Sequence, residues 1–123
     1  MSEVRYLKAV NQVLYDAMEA DDSVFVIGED VGAAGGPFKA TRGLLERFGP
    51  GRVYDAPIAE AVIAGVAVGA AMTGMRPVAE IMFMDFITLA MDQIVNQAAK
   101  ARSMFGGQAS LPLVIRAPHG GGA

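Results

Sequence analysis

Apolar positions set the rhythm of the first third of the chain. Val4, Leu7, Val10, Leu14, Ala17 and Met18 recur at steps of three and four, the spacing of an amphipathic helix. Asp21-Asp22-Ser23 ends that pattern, and the unbroken apolar run Val24-Phe25-Val26-Ile27 follows. A short run rich in β-branched residues is how a strand buried on both faces reads. Gly28 to Pro37 is a glycine-rich loop at its C-terminal end. Thr41 is placed to cap a short helix through Phe48, which Gly49-Pro50-Gly51 closes. Val53-Tyr54 is a second brief strand. A small-residue helix containing Glu60 runs to about Thr73 and stops at Gly74. Pro77 to Phe83 reads as a third strand, Ile87 to Met104 as a long helix, and Leu113-Val114-Ile115 as a fourth strand.

Alternating strands and helices predict an α/β domain of three layers, a mainly parallel sheet with helices on both faces. In such sheets ligands bind beyond the C-terminal strand ends. Four segments fall there: Glu29-Asp30, Asp55 to Glu60, Met84-Asp85-Phe86, and Ala117 to Gly122. The chain has 123 residues, the size of one domain. The closing Gly120-Gly121-Gly122-Ala123 follows a strand directly, which reads as a loop leading onward and so as part of a longer chain.

Composition narrows the chemistry. Hydrophobic residues make up 53% of the chain, enough that some apolar surface is expected to meet a partner. A net charge of −3 argues against a nucleic-acid binder. The absence of cysteine excludes disulfides, thiolate metal sites and cysteine nucleophiles. A single histidine leaves no imidazole cluster. The N-terminus lacks an apolar signal core, and the longest apolar run, Ala61 to Met72, is twelve residues against the roughly 20 of a membrane span. A cytoplasmic protein is expected.

Several residues admit two readings. Glu60 is either a helix-start acid favoured by the dipole or, among Ile58, Ala61, Val62 and Ile63, a desolvated carboxyl poised for proton exchange. Gly65 and Gly69 serve close packing on the sheet or a subunit interface. Phe83 and Phe86 cap the core or stack on a flat ring. Met82, Met84, Met91 and Met104 read as core fillers. Gly28-x-x-x-Gly32 lacks the order of a phosphate loop and carries two acids. His119 reads as a solvated loop residue.

Larger blocks carry a resemblance. Gly28-Glu29-Asp30-Val31-Gly32, Gly35-Gly36-Pro37-Phe38-Lys39, Thr41-Arg42-Gly43-Leu44 and Phe48-Gly49-Pro50 stand in order, followed by Asp55-Ala56-Pro57-Ile58-Ala59-Glu60. Arg76-Pro77-Val78-Ala79-Glu80, Met84-Asp85-Phe86 and Asp92-Gln93-Ile94-Val95-Asn96-Gln97-Ala98-Ala99-Lys100 complete the set. Together they resemble the beta subunit of the thiamine diphosphate-dependent first component of 2-oxoacid dehydrogenase complexes, the pyruvate, branched-chain and acetoin enzymes. The resemblance implies that residues 1–123 are a transketolase-like pyrimidine-binding domain, without the C-terminal domain usual in that family. It implies an alpha subunit that holds the diphosphate and its Mg²⁺, a two-alpha, two-beta assembly, and a lipoyl-bearing acyltransferase as acyl acceptor.

The resemblance also implies site roles. Glu60 matches the glutamate that hydrogen-bonds the aminopyrimidine ring nitrogen and so activates the cofactor's own amino group as a base. Phe86 matches the aromatic that stacks on that ring. Ile58 matches the bulky residue that enforces the bent cofactor shape. Glu29 matches a carboxylate near the same pocket, part of a proton path. Leu113 lies where the family begins a K⁺ site through backbone carbonyls. His119 does not align with the family's catalytic histidine. Ala56 departs from a common Thr. The expected reaction is decarboxylation of a pyruvate-like 2-oxoacid with acyl transfer to lipoamide, the chain being inactive alone. The alternatives are a non-catalytic module that docks an alpha subunit, and acetoin dehydrogenase or another transketolase-like thiamine enzyme.

Overall fold

A computed structural model of the chain describes residues 4–120, so residues 121–123 of the terminal glycine run lie outside the described residues. Helix α1 (Tyr6–Ala20) leads into strand β1 (Val24–Gly28). Helix α2 (Leu44–Phe48), strand β2 (Val53–Asp55), helix α3 (Glu60–Met72) and strand β3 (Arg76–Glu80) follow. A helical run then passes from a 3₁₀ turn (Met84–Ala90) through a π-helical stretch (Asp92–Ala98) into α4 (Ala99–Met104), and strand β4 (Val114–Arg116) comes last. The sheet is four-stranded and parallel throughout, in the order β2-β1-β3-β4.

β1 lies inside the sheet, and all five of its residues are buried. Successive side chains of a strand point to opposite faces. Val24 and Val26 accordingly join Leu14 and Met18 of α1, Leu44, Val53 and Val78 on one face. Phe25 and Ile27 join Ile63, Ala64 and Ala67 of α3, with Ala79 and Ile81, on the other. The expected three layers follow from that division. The register aligns Val26 with Val53 and Val78, and Gly28 with Asp55 and Glu80, so the C-terminal ends of three strands finish level. Arg52 ties the start of β1 to α1: its Nη2 donates to the carbonyls of Met18, Asp21 and Val24 at 2.8, 2.7 and 2.7 Å.

The structure corrects four local expectations. β3 ends at Glu80, not Phe83. Its partner β4 is three residues long and lies between Pro112 and Pro118, and proline has no N–H for the ladder. Thr41 does not cap α2. Its hydroxyl donates to the Val31 carbonyl at 2.7 Å, and Gly43, at φ 84°, holds the N-cap position. The span 87–104 is not one α-helix, since only its last six residues hold that form. Three of the four methionines read as core are exposed, namely Met84, Met91 and Met104, and the fourth, Met82, is half-buried.

Gly28 is where the fold is tightest. A Cβ there would lie 2.7 Å from Glu80 Cβ, 2.8 Å from Glu80 O and 2.9 Å from Val31 Cγ1. Gly28→Ala is therefore expected to destabilise the domain by about 1–3 kcal/mol through overpacking, read as a lower denaturant midpoint. An unchanged midpoint would show that β1 and β3 separate more freely than their register implies.

Candidate functional site

The level strand ends build a carboxylate-rich edge. Glu29 follows β1 directly and is 5% exposed. The next residue, Asp30, takes φ 53°, a left-handed turn that Asp tolerates better than most residues. That turn folds the loop back on itself. Gly36 N–H donates to Asp30 O at 2.7 Å, and Gly32 N–H donates to Asp55 Oδ1 at 2.7 Å. The Thr41 hydroxyl bond to Val31 closes the far side. Asp55 thus occupies the space beside Gly32, so this glycine loop cradles a carboxylate and not a phosphate.

Glu60 is the first residue of α3 and is 6% exposed. It stands nearer the helix start than the sequence placed it, where the exposed backbone N–H groups favour an anion. Its burial does not come from all of its expected apolar neighbours, because Ile58, Ala61 and Val62 are exposed and only Ile63 is buried. Glu60 lies near enough for its charge to bear on the Glu29 carboxyl. Burial first, then the Glu60 charge, then Asp30, push the Glu29 carboxyl above its ordinary value of 4.5. Glu29 Oε1 is buried and has no hydrogen-bond partner among the described residues. A buried carboxyl oxygen of this kind is satisfied by a protonated state or by a donor arriving with a ligand.

Phe86 lies in the 3₁₀ turn that packs against α3 and is 45% exposed, so it is no core residue. Its ring meets Phe83 edge-on, with centroids 6.2 Å apart, and Phe83 meets Phe38 of the β1–α2 loop at 5.7 Å. Ile58 lies in the β2–α3 loop at 83% exposure. The structure therefore brings Glu29 and Glu60 together, with Phe86 on the segment beside α3 and Ile58 two residues before Glu60. Leu113 stands apart, just ahead of β4 on the sheet's free edge, its N–H bonded to Leu111 O at 2.9 Å. His119 is exposed. Among the described residues no group of three or more His, Asp or Glu is arranged to hold a metal ion.

One pair at this edge escaped the sequence reading. Glu80, 4% exposed, is ion-paired with Arg116 of the neighbouring strand. Burial raises the Glu80 carboxyl, and the guanidinium works in the opposite direction. The signal for the pair is the β3–β4 register, which the chain order alone does not state. Gln93 is likewise silent in sequence. Its Oε1 is buried without a partner among the described residues, and its Cγ sits 3.7 Å from where a Cβ on Gly65 would be.

The whole described chain matches one family model, "Transketolase, pyrimidine binding domain", over residues 2–123. The chain belongs to that family, and its parallel sheet with helices on both faces is the family's α/β fold. Its sequence is 55% identical over 122 residues to the 2-oxoisovalerate dehydrogenase subunit beta of Bacillus subtilis (strain 168), covering 99% of this chain and 37% of the relative. It is 47% identical over 122 residues to the pyruvate dehydrogenase E1 component subunit beta of Acholeplasma laidlawii, again 99% and 37%. It is 47% identical over 121 residues to the mitochondrial pyruvate dehydrogenase E1 component subunit beta-1 of Arabidopsis thaliana, covering 98% and 33%. The chain thus spans little more than a third of the length of these relatives. No described helix is long and apolar enough to cross a membrane.

The raised Glu29 carboxyl carries a pH signature. A group protonated more readily in the folded than in the unfolded state contributes most at low pH. Its contribution falls as pH rises from the unfolded value of 4.5 through the higher folded value, and above that it is a constant penalty. Glu29→Gln removes the penalty. The stability of the variant relative to the unsubstituted chain, read from urea midpoints, is expected to grow from pH 4 to pH 8. A difference that shrinks over that range would contradict the assignment.

Proposed function

We propose that this chain forms the aminopyrimidine side of the thiamine diphosphate site in the beta subunit of a 2-oxoacid dehydrogenase. The observation that carries the reading is the pair of buried carboxyls at the C-terminal strand edge: Glu60 on the first turn of α3, and Glu29 with an unpartnered oxygen. These fit a flat, hydrogen-bonding heterocycle better than a metal or a phosphate. They offer acceptors and one readily protonated acid, with a half-exposed aromatic ring on the adjoining segment.

When bound, the cofactor supplies the carbon that adds to the substrate carbonyl. The chain's own residues hold and tune it. Glu60 holds a proton against the ring nitrogen in a buried setting, where a shared proton is not lost to water. Glu29, raised by burial and by Glu60, takes up or returns a proton at the same edge. Phe86 lays an apolar face beside the ring. Ile58 is an exposed apolar side chain that the bound cofactor and a partner surface would cover. The diphosphate and its Mg²⁺ are assigned to an alpha subunit. A K⁺ ion bound through the Leu113 carbonyl belongs to the same reading and rests on the resemblance alone.

The substrate class is a 2-oxoacid, since the relatives are named for 2-oxoisovalerate and pyruvate. The acyl group then passes to the lipoyl group of an acyltransferase partner. The large exposed apolar set on one side of α3, Val62, Val66 and Met72, supports assembly with another subunit. The same surface is the observation that favours the second reading, a docking module without chemistry.

In the full-length chain assembled with its alpha subunit, Glu60→Gln is expected to fold normally and to lower kcat by about 100-fold or more, the scale of a lost acid–base group. Phe86→Ala is expected to weaken cofactor binding about tenfold with a smaller effect on kcat. Normal turnover in Glu60→Gln would overturn the assignment. Activity absent from the unsubstituted assembly, with intact subunit association, would leave the docking reading.

A further inference from the structure

A cluster of cations gathers where the β1–α2 loop meets the start of α1. Arg5, Leu7, Lys8, Asn11, Lys39 and Arg42 line one surface cavity of about 330 Å³. Its shape is held by Asn11, whose amide donates to the carbonyls of Ala40 and Arg42 at 2.8 and 3.0 Å and so clamps the loop against α1. The clamp brings Lys39 and Arg42 of the loop beside Arg5 and Lys8 of the helix start.

Three features set this cluster apart from ordinary surface charge. First, among the described residues no carboxylate lines the cavity and none of its four cations is ion-paired, in a chain of net charge −3. Of the six cations elsewhere, Arg47, Arg52, Arg76 and Arg116 each have an acidic partner, whereas Lys100 and Arg102 stand unpaired among the described residues but are not gathered with others around one cavity. Second, Arg5 holds the N-cap position of α1 and Lys8 its first turn, with no acid in that turn. The helix dipole disfavours cations there. Third, Lys39 sits at φ 64°, a left-handed conformation that glycine or asparagine would take with less strain, while its Nζ donates to Ala34 O at 2.7 Å. Mutual repulsion, an adverse dipole and a strained backbone all oppose the arrangement in the free chain. An anion in the cavity reverses the first two at once.

We propose that this cavity binds a small polyanion of the phosphate class, with Arg42 and Arg5 as planar forks and Lys8 and Lys39 as point charges. The site is separate from the carboxylate edge and does not depend on the pyrimidine reading. Phe38, the residue before Lys39, stands in the aromatic chain that leads to Phe86, so occupancy would also pin that loop.

The test is calorimetric titration of inorganic tripolyphosphate into the full-length chain, with ATP as a second arm to separate bare polyphosphate from a nucleotide. Saturable one-site binding is expected that weakens as salt rises. Lys8→Gln and Arg42→Gln should each weaken it by about tenfold or more, the worth of one charge-assisted contact. Arg102→Gln, an exposed cation on α4, and Glu60→Gln should leave it unchanged. Absence of saturation, or equal weakening by Arg102→Gln, would overturn the site.

Discussion

Burying the Glu29 carboxyl within reach of the Glu60 charge is the constraint on which the candidate site depends. Two like charges removed from water repel each other and lose hydration together, so one is driven toward its protonated form. The fold tolerates this because several features converge on it. β1 is apolar on both faces and ends at a glycine whose missing Cβ lets β3 approach. Asp30 turns the chain back at a left-handed φ, leaving Glu29 at the strand edge. α3 begins at Glu60, so the backbone N–H groups of its first turn face a carboxylate. The buried strand and the close approach at Gly28 also serve the core, whereas the left-handed turn at Asp30 serves the placement of the acid. Each is required if an acid is to be kept out of water where a ligand can reach it.

The strand ends extend the same logic. Gly28, Asp55 and Glu80 lie level in the register, and each neighbouring acid is handled differently. Asp55 is exposed and accepts a backbone N–H from Gly32 of the glycine loop. Glu80 is neutralised by Arg116. Of these acids, among the described residues, Glu29 alone keeps a buried oxygen without a partner. That contrast separates structural carboxylates from one available for chemistry, and it is why the pyrimidine reading rests on Glu29 and Glu60 together.

Much of this was legible in the residues. The run Val24 to Ile27 declared a strand buried on both sides, because no polar position interrupts it. α1 declared itself by period, and the order of short strands and helices declared the parallel α/β architecture. The acids at 29 and 60 lie at the C-terminal edge of the sheet, where the order of strands and loops placed them. What was hidden depended on register and on exposure. The Glu80–Arg116 pair needs two strands 36 residues apart to align. The Thr41 hydroxyl serves a loop carbonyl ten residues back, which capping preference does not foresee. Met84, Met91 and Met104 looked like core because their type usually is. They are exposed because the helical run that carries all three packs mainly through Ala90, Ile94 and Ala101. The basic cavity was invisible because its cations come from two segments that only the Asn11 clamp brings together.

The central claim is that the carboxylate edge holds the ring of a cofactor whose diphosphate is held by another chain. Calorimetric titration of thiamine diphosphate with Mg²⁺ tests it directly, into the full-length chain alone and into its mixture with the alpha subunit. The account predicts little or no heat with the chain alone and saturable binding in the mixture. No binding in a mixture whose subunits demonstrably associate would contradict it.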